Sequence, residues 1–130
     1  MIVLDASATL DWLLRTPAGL KVEQRIYGRA EGVHAPHLLD LEVAQVLRRF
    51  AREGTISDLR AEVALGDLAD ARVTRHPHRL LLPRVWQLRH NLTAYDAVYV
   101  ALAELLNASL VTRDRRIGTA SGHRAQIEVV

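Results

Sequence analysis

The run LTAYDAVYVALAELLNASLVTRD, Leu92 to Asp114, decides the fold. Thr93 reads as the N-cap of a helix over 94–106, because a threonine side chain there accepts from the otherwise orphaned amides of the first turn. Val98, Val100, Ala101, Leu102, Leu105 and Leu106 are spread around its axis. A helix apolar nearly all round is buried. Ser109 to Thr112 follows as a short strand, and Asp114 stands just past its end. A buried helix feeding a short apolar strand is a unit of a sheet covered by helices. The run also carries Asp96 in the first turn of its helix, where the macrodipole favours a negative charge.

The same alternation extends in both directions. Strands are expected at 2–4, 33–35, 73–74, 109–112 and 127–130, the second stopped by Pro36. Helices are expected at 6–14, 17–27, 37–52, 57–71, 80–90, 94–106 and 115–120. Thr16-Pro17 and Ser57-Asp58 are start signals, and Gly28, Gly32 and Gly54 are breaks. This pattern predicts one α/β domain over residues 1–130, in three layers, with a central, mainly parallel sheet of four to five short strands flanked by helices. In such sheets ligands gather beyond the carboxyl ends of the strands, near the topological switch point.

The composition is that of an ordinary globular domain, at 49% hydrophobic and 25% charged residues. There is no cysteine, which excludes disulfides, thiolate metal sites and thiol nucleophiles. MIVLDASATLDWLL has two aspartates and no basic leader, so no signal peptide is expected, and no apolar run is long enough to span a membrane. A cytoplasmic location follows as the default. The net charge is only +2, and Lys21 is the sole lysine, so the cationic side chains are almost all arginine. Arginine suits bidentate phosphate recognition. The small net charge argues for local patches rather than broad binding to nucleic acid.

Four acids stand out: Asp5, Glu42, Asp96 and Asp114. Asp5 and Asp114 each follow a strand, and each also reads as a helix cap. Glu42 falls inside the apolar half of its helix, one turn from Leu38 and from Val46, where a carboxylate requires a partner such as an arginine or a metal ion. Asp40 precedes the polar side and reads as a solvated or first-turn charge. Lone carboxylates are costly in a core, and several brought together repel one another until a cation settles them. Hard divalent ions, Mg²⁺ or Mn²⁺, take such oxygen ligands.

Other candidates are weaker. His76 and His78, and His34 and His37, have ligand-like spacing but flank prolines in segments read as loops. Arg113, Arg115 and Arg116 bracket Asp114 and are candidate phosphate contacts, whereas Arg48, Arg49 and Arg52 read as a solvated face. The apolar side chains Leu10, Trp12, Leu13, Leu14, Leu20 and Ile26 are more than a domain of this size is expected to bury. The surplus would suit an amphipathic segment of a partner.

Four stretches together resemble the PIN-domain ribonucleases, and within them the VapC-type toxins of bacterial toxin–antitoxin modules. They are Ile2-Val3-Leu4-Asp5-Ala6-Ser7-Ala8, Leu41-Glu42-Val43 with Val46-Leu47, Tyr95-Asp96-Ala97-Val98-Tyr99-Val100-Ala101-Leu102-Ala103, and Leu110-Val111-Thr112-Arg113-Asp114. The resemblance covers essentially the whole chain. It implies a PIN-like fold and an acidic metal site of Asp5, Glu42, Asp96 and Asp114, with Asp5, Asp96 and Asp114 as ligands of Mg²⁺ or Mn²⁺. Hydroxyls of Thr112 and Ser7 would support that site. It further implies hydrolysis of RNA phosphodiesters, a toxin's inhibition of translation and growth, a homodimer, and a cognate VapB-like antitoxin whose arginine neutralises the carboxylates.

Two other enzyme classes begin with a strand followed by aspartate. A haloacid-dehalogenase-type phosphatase requires a second aspartate at position 7, which is Ser7, and a downstream lysine that is missing. A response-regulator receiver requires a late lysine too, and this chain has none after Lys21. The non-enzymatic alternative is a catalytically silent PIN-like module that binds RNA or protein.

Overall fold

The computed structural model describes residues 1–130. Five short strands form one sheet: β1 (Ile2–Leu4), β2 (Val33–Pro36), β3 (Val73–His76), β4 (Ser109–Thr112) and β5 (Ile127–Val129). Their order is β3-β2-β1-β4-β5, and every neighbouring pair is parallel. Parallel strands demand crossovers, and helices supply them: α1 (Ala6–Leu13), α2 (Pro17–Gly28), α3 (Leu38–Arg52), α4 (Asp58–Asp70), α5 (Leu82–Gln87), α6 (Ala94–Leu106) and α7 (Arg115–Thr119). The chain leaves β1 towards β2 on one side and returns to β4 on the other, so the switch point lies between β1 and β4.

The two faces of the sheet are covered unequally. On one, Val22 and Ile26 of α2 pack with Ile2, Leu4, Val33 and Val111 in a small cluster. On the other, a much larger cluster joins Val3, Ala35 and Leu110 to side chains from α3, α4, α5 and α6. Helix α6 is its centre. Ala97 to Ala103 are all buried without interruption, and the helix packs against β1, β2 and β4. Thr93 caps it as the sequence indicates, and Asn107 closes it in the left-handed conformation, φ 50°. Helices α1 and α2 approach so closely at Gly19 that a Cβ there would meet the Asp11 carbonyl oxygen.

Three expectations need correction. Pro36 does not stop β2; it pairs in register with His76, and β3 runs two residues further than the apolar pattern shows. His76 therefore lies on a strand rather than in a loop, beside His34 of the expected β2, with Nδ1 of His34 2.9 Å from Nε2 of His76. The segment 80–90 is not one helix. A 3₁₀ turn over Arg79–Leu81 precedes α5, and the helix stops at Gln87. Pro83 has no N–H to bond back into the preceding turn. At the other end Leu88 turns into the core, and Thr93 needs extended backbone to cap α6.

The surplus of apolar side chains also lies elsewhere than expected. Leu10, Leu13 and Ile26 are buried, and of the six only Leu20 is exposed. The large exposed apolar residues include Leu80, Leu82 and Trp86 around α5, and Tyr95 and Leu105 on α6. Asp40 is not a free charge; both its carboxylate oxygens accept from Arg75 of β3, at 2.7 and 2.9 Å.

Candidate active site

Beyond the carboxyl ends of β1 and β4, α1 and α3 form the walls of a cleft of about 720 Å³. Asp5, Ser7, Glu42, Asp96 and Asp114 all line it. The sheet register explains the floor. Leu4 pairs with Val111, so the residues just past them, Asp5 and Thr112, face each other across the switch point.

Asp5 is buried and heavily bonded. Its Oδ1 accepts from the Ala8 amide at 2.9 Å and from the Ser7 hydroxyl at 2.7 Å. The Thr112 hydroxyl donates to its Oδ2. Asp5 is thus both the cap of α1 and an acid of the cleft; the two readings of the sequence are both true of it. Thr112 also accepts from the Asp114 amide, and Ser7 from the Arg113 amide, so the two hydroxyls tie the β4 exit to the start of α1.

Glu42 finds its partner in Tyr99, whose buried hydroxyl donates to Oε1 at 2.6 Å. The sequence assigns Tyr99 no role of its own, because that role depends on a contact 57 positions away in the chain. Asp96 stands at the start of the same helix, its amide bonded to Thr93. Asp114 caps α7, accepting from the Arg116 amide and from the Arg116 guanidinium, which lies 2.9 Å from Oδ2.

The electrostatics divide these acids. Burial raises the pKa of Asp5, against the amide of Ala8 and the two hydroxyls, with the charge of Asp96 adding to the rise. Burial also raises Glu42, offset by Tyr99 and reinforced by Asp96 and Asp5. Asp96 is raised by burial and by Asp114. Asp114 alone is lowered, held down by the Arg116 guanidinium beside it. Three carboxylates that share a cleft and disfavour one another's charge are poised for an added cation.

No three acidic or histidine side chains close into a cage that would hold an ion by themselves. The donor set is nonetheless all oxygen, in an open cleft. It fits a hard divalent ion that keeps part of its water shell, as Mg²⁺ does. The arginines are arranged less simply than their spacing indicates. Arg113 bridges to Asp11 of α1 at 2.9 Å and donates to the Val130 carbonyl. Arg116 sits on Asp114, and Arg115 is exposed. Arg49, read as part of a solvated face, lines the cleft instead.

The PIN domain family matches residues 2–122. The chain is 42% identical over 130 residues to Ribonuclease VapC12 of Mycobacterium tuberculosis, covering all of this chain and 99% of the relative. The chain belongs to the PIN-domain family, among the VapC ribonucleases. Ribonuclease VapC9 of the same organism is 43% identical over 130 residues, across all of this chain and 98% of its own. Among solved structures, PAE2754 from Pyrobaculum aerophilum superposes with a TM-score of 0.71 at 26% identity, over 98% of this chain and 83% of that one. VapBC2 from Rickettsia felis, bound to a DNA fragment from its promoter, reaches 0.70 at 13% identity, over 99% of this chain and 98% of that one. The PIN fold of this chain is therefore shown by sequence and by shape alike. No helix is long and apolar enough to cross a membrane.

Proposed function

We propose that this PIN-domain protein is a divalent-cation-dependent endoribonuclease, the toxin of a toxin–antitoxin pair. One observation carries the reading. Asp5, Glu42, Asp96 and Asp114 line one cleft at the switch point, in a chain that matches VapC ribonucleases from end to end. Asp5, Asp96 and Asp114 would hold Mg²⁺ or Mn²⁺, largely through its water shell. When bound, such an ion lowers the pKa of a coordinated water and stabilises the charge that develops on a phosphodiester.

The protein's own contribution is orientation. Ser7, Thr112 and the Ala8 amide fix the Asp5 carboxylate, which keeps acceptor capacity at Oδ2, where Thr112 takes one of two lone pairs. Tyr99 fixes Oε1 of Glu42 and leaves Oε2 free to position a water. Thr93 sets the first turn from which Asp96 projects. Arg113, Arg115 and Arg116, beside Asp114 in the chain, would meet substrate phosphates, Arg113 and Arg116 by giving up their contacts with Asp11 and Asp114.

Two partners belong to this reading. An antitoxin of the VapB type would silence the enzyme by covering the cleft and supplying a cation to its carboxylates; VapBC and FitAB complexes share the fold. A homodimer would cover apolar side chains that the monomer leaves exposed, foremost Leu82, Trp86, Tyr95 and Leu105. A ribonuclease acting on cellular RNA would work in the cytoplasm.

The test is incubation of total cellular RNA with the purified protein, with Mn²⁺, Mg²⁺ or EDTA. Discrete fragments are expected that require the cation and disappear in Asp5→Asn and Asp96→Asn. If the folded wild-type protein cuts nothing and gains no thermal stability from either ion, the enzyme reading fails and a binding-only module replaces it.

A further inference from the structure

The cleft continues past the carboxylates. On α3, Glu42, Val46, Arg49 and Phe50 follow one another at helical spacing on one stripe, and all four line the cleft. At 1.5 Å of rise per residue, Arg49 stands roughly 10 Å and Phe50 roughly 12 Å along the axis from Glu42. Leu10 and Leu14 of α1 line the facing wall. The lining thus changes from acid, through aliphatic, to an aromatic ring and a cation.

Arg49 has no anionic partner. Its guanidinium makes no ion pair and no hydrogen bond within the molecule; its one aromatic contact is cation–π, over the Phe50 ring at 5.5 Å from the centre. Almost every other arginine near the cleft is engaged: Arg60 with the Leu13 carbonyl, Arg113 with Asp11, Arg116 with Asp114. Phe50 is half-buried and lines the cleft.

We infer that Arg49 and Phe50 form a subsite for a nucleotide neighbouring the cleaved bond, on a single-stranded segment of the substrate. The inference rests on the ribonuclease reading above and extends it. Arg49 takes a backbone phosphate and Phe50 a base. Both halves are required by the chemistry of the occupant. A single-stranded nucleic acid carries an anion and a flat apolar ring at every step, and proteins hold it with paired cations and aromatic rings. A duplex keeps its bases stacked and has no ring to offer Phe50. A helix from a partner protein would use the aliphatic wall but has no built-in reason to match the cation beside the ring. The subsite lies too far along α3 to hold the phosphate being cut, so it selects where the strand sits rather than how it breaks.

The test uses a short, fluorescently labelled, mixed-sequence single-stranded RNA, bound to Asp96→Asn protein in Mg²⁺ so that it stays uncut. Anisotropy is read across a salt series, with Arg49→Ala, Phe50→Leu or Arg48→Ala added. Cleavage of total RNA by the same substitutions in the active protein is followed in parallel. Arg49→Ala is expected to weaken binding and to flatten the slope of log K against log salt by about 0.7, the loss of one phosphate contact on a single strand. Phe50→Leu is expected to weaken binding about tenfold, through lost stacking, with its slope unchanged. Arg48→Ala is expected to change little.

Parental affinity and slope in both cleft variants, while wild type still cuts in a cation-dependent way, overturns the subsite and leaves the ribonuclease standing. Equal slope changes from Arg48→Ala and Arg49→Ala also overturn it, because the charge is then diffuse. Failure of wild type to cut any RNA removes the enzyme and the subsite together. Arg49 is exposed, so its arm decides the matter even if Phe50→Leu destabilises the fold.

Discussion

Carboxylates at the cleft and carboxylates around Arg25 are the same chemical groups handled in opposite ways. Arg25, in the last turn of α2, pairs with Glu128 of β5 at 2.9 Å and with Glu31, which also meets the N-terminal ammonium. Both glutamates are held below the usual carboxylate range, chiefly by hydrogen bonds from Arg25. Glu104 of α6 is likewise covered by Arg84 and Arg124. At the cleft, Asp5, Glu42 and Asp96 are raised, with burial as the first cause and one another's charge adding to it. The chain has arginine enough to neutralise these acids and does not spend it there. Acids that are satisfied hold the fold, and acids left in want hold a place for something else.

The comparison can be broken most directly at Asp96. Asp96→Asn removes a cleft charge without changing shape, and RNA cleavage is expected to fall at least about a hundredfold. Its urea midpoint without metal is expected to stay level or rise. A large loss of stability instead would make Asp96 a structural acid like Glu128. Arg25→Met is the opposite experiment. It strands two partly buried glutamates and is expected to lower stability by about 2 kcal/mol, less than the loss for a fully buried pair. Cleavage by the folded fraction should be unchanged.

Tyr99→Phe sharpens the comparison, because it removes the one hydrogen bond donated to Glu42 while keeping the ring. Stability should change by only about 1 kcal/mol. Cleavage should fall by roughly tenfold, through the turnover rate rather than KM. An unchanged rate would show that Glu42 needs no holding.

The smallest effect is in the pH dependence of stability without metal. Glu31 and Glu128 have lowered values in the folded state, so their stabilisation is present above the unfolded carboxylate range and is lost as pH falls through the lowered values. Asp5, Glu42 and Asp96 have raised values, so their charge penalty is complete above those values and is relieved as pH falls through them. Melts in EDTA should therefore show stability rising slightly on mild acidification before the acid loss sets in. Asp96→Asn should shrink the rise, Arg25→Met the later fall, and millimolar Mg²⁺ should flatten the rise.

The parts of this molecule legible in the sequence are those written locally. Strand followed by aspartate at Asp5 and Asp114, the Thr93 cap and the all-round apolar α6 each depend on neighbours within a few residues. They set the fold class and the four acids. Illegible were the pairings made across the fold. Tyr99 gives no sign that its hydroxyl meets Glu42. Asp40 looks free until β3 delivers Arg75. His76 looks like a loop residue until the β2–β3 register places it beside His34. Arg49 belongs by spacing to a solvated cluster, and only the position of α1 opposite α3 turns it toward the cleft. The segment 80–90 misleads for a local reason, since helical spacing continues past Leu88 although the next helix needs its cap.

Burial of α6 on all sides has a consequence for how the cleft moves. Its central amides, Ala97 to Ala103, have no exposed face from which to open and should exchange with solvent deuterium only when the whole domain unfolds. Asp96 and Tyr99 are mounted on that helix. Asp114 caps α7, a five-residue helix with one buried side chain, which carries Arg116 and whose amides should exchange earlier than those of α6. The cleft thus has a stationary jaw and a yielding one. The acid whose charge is already met, Asp114, stands where the less deeply anchored helix begins.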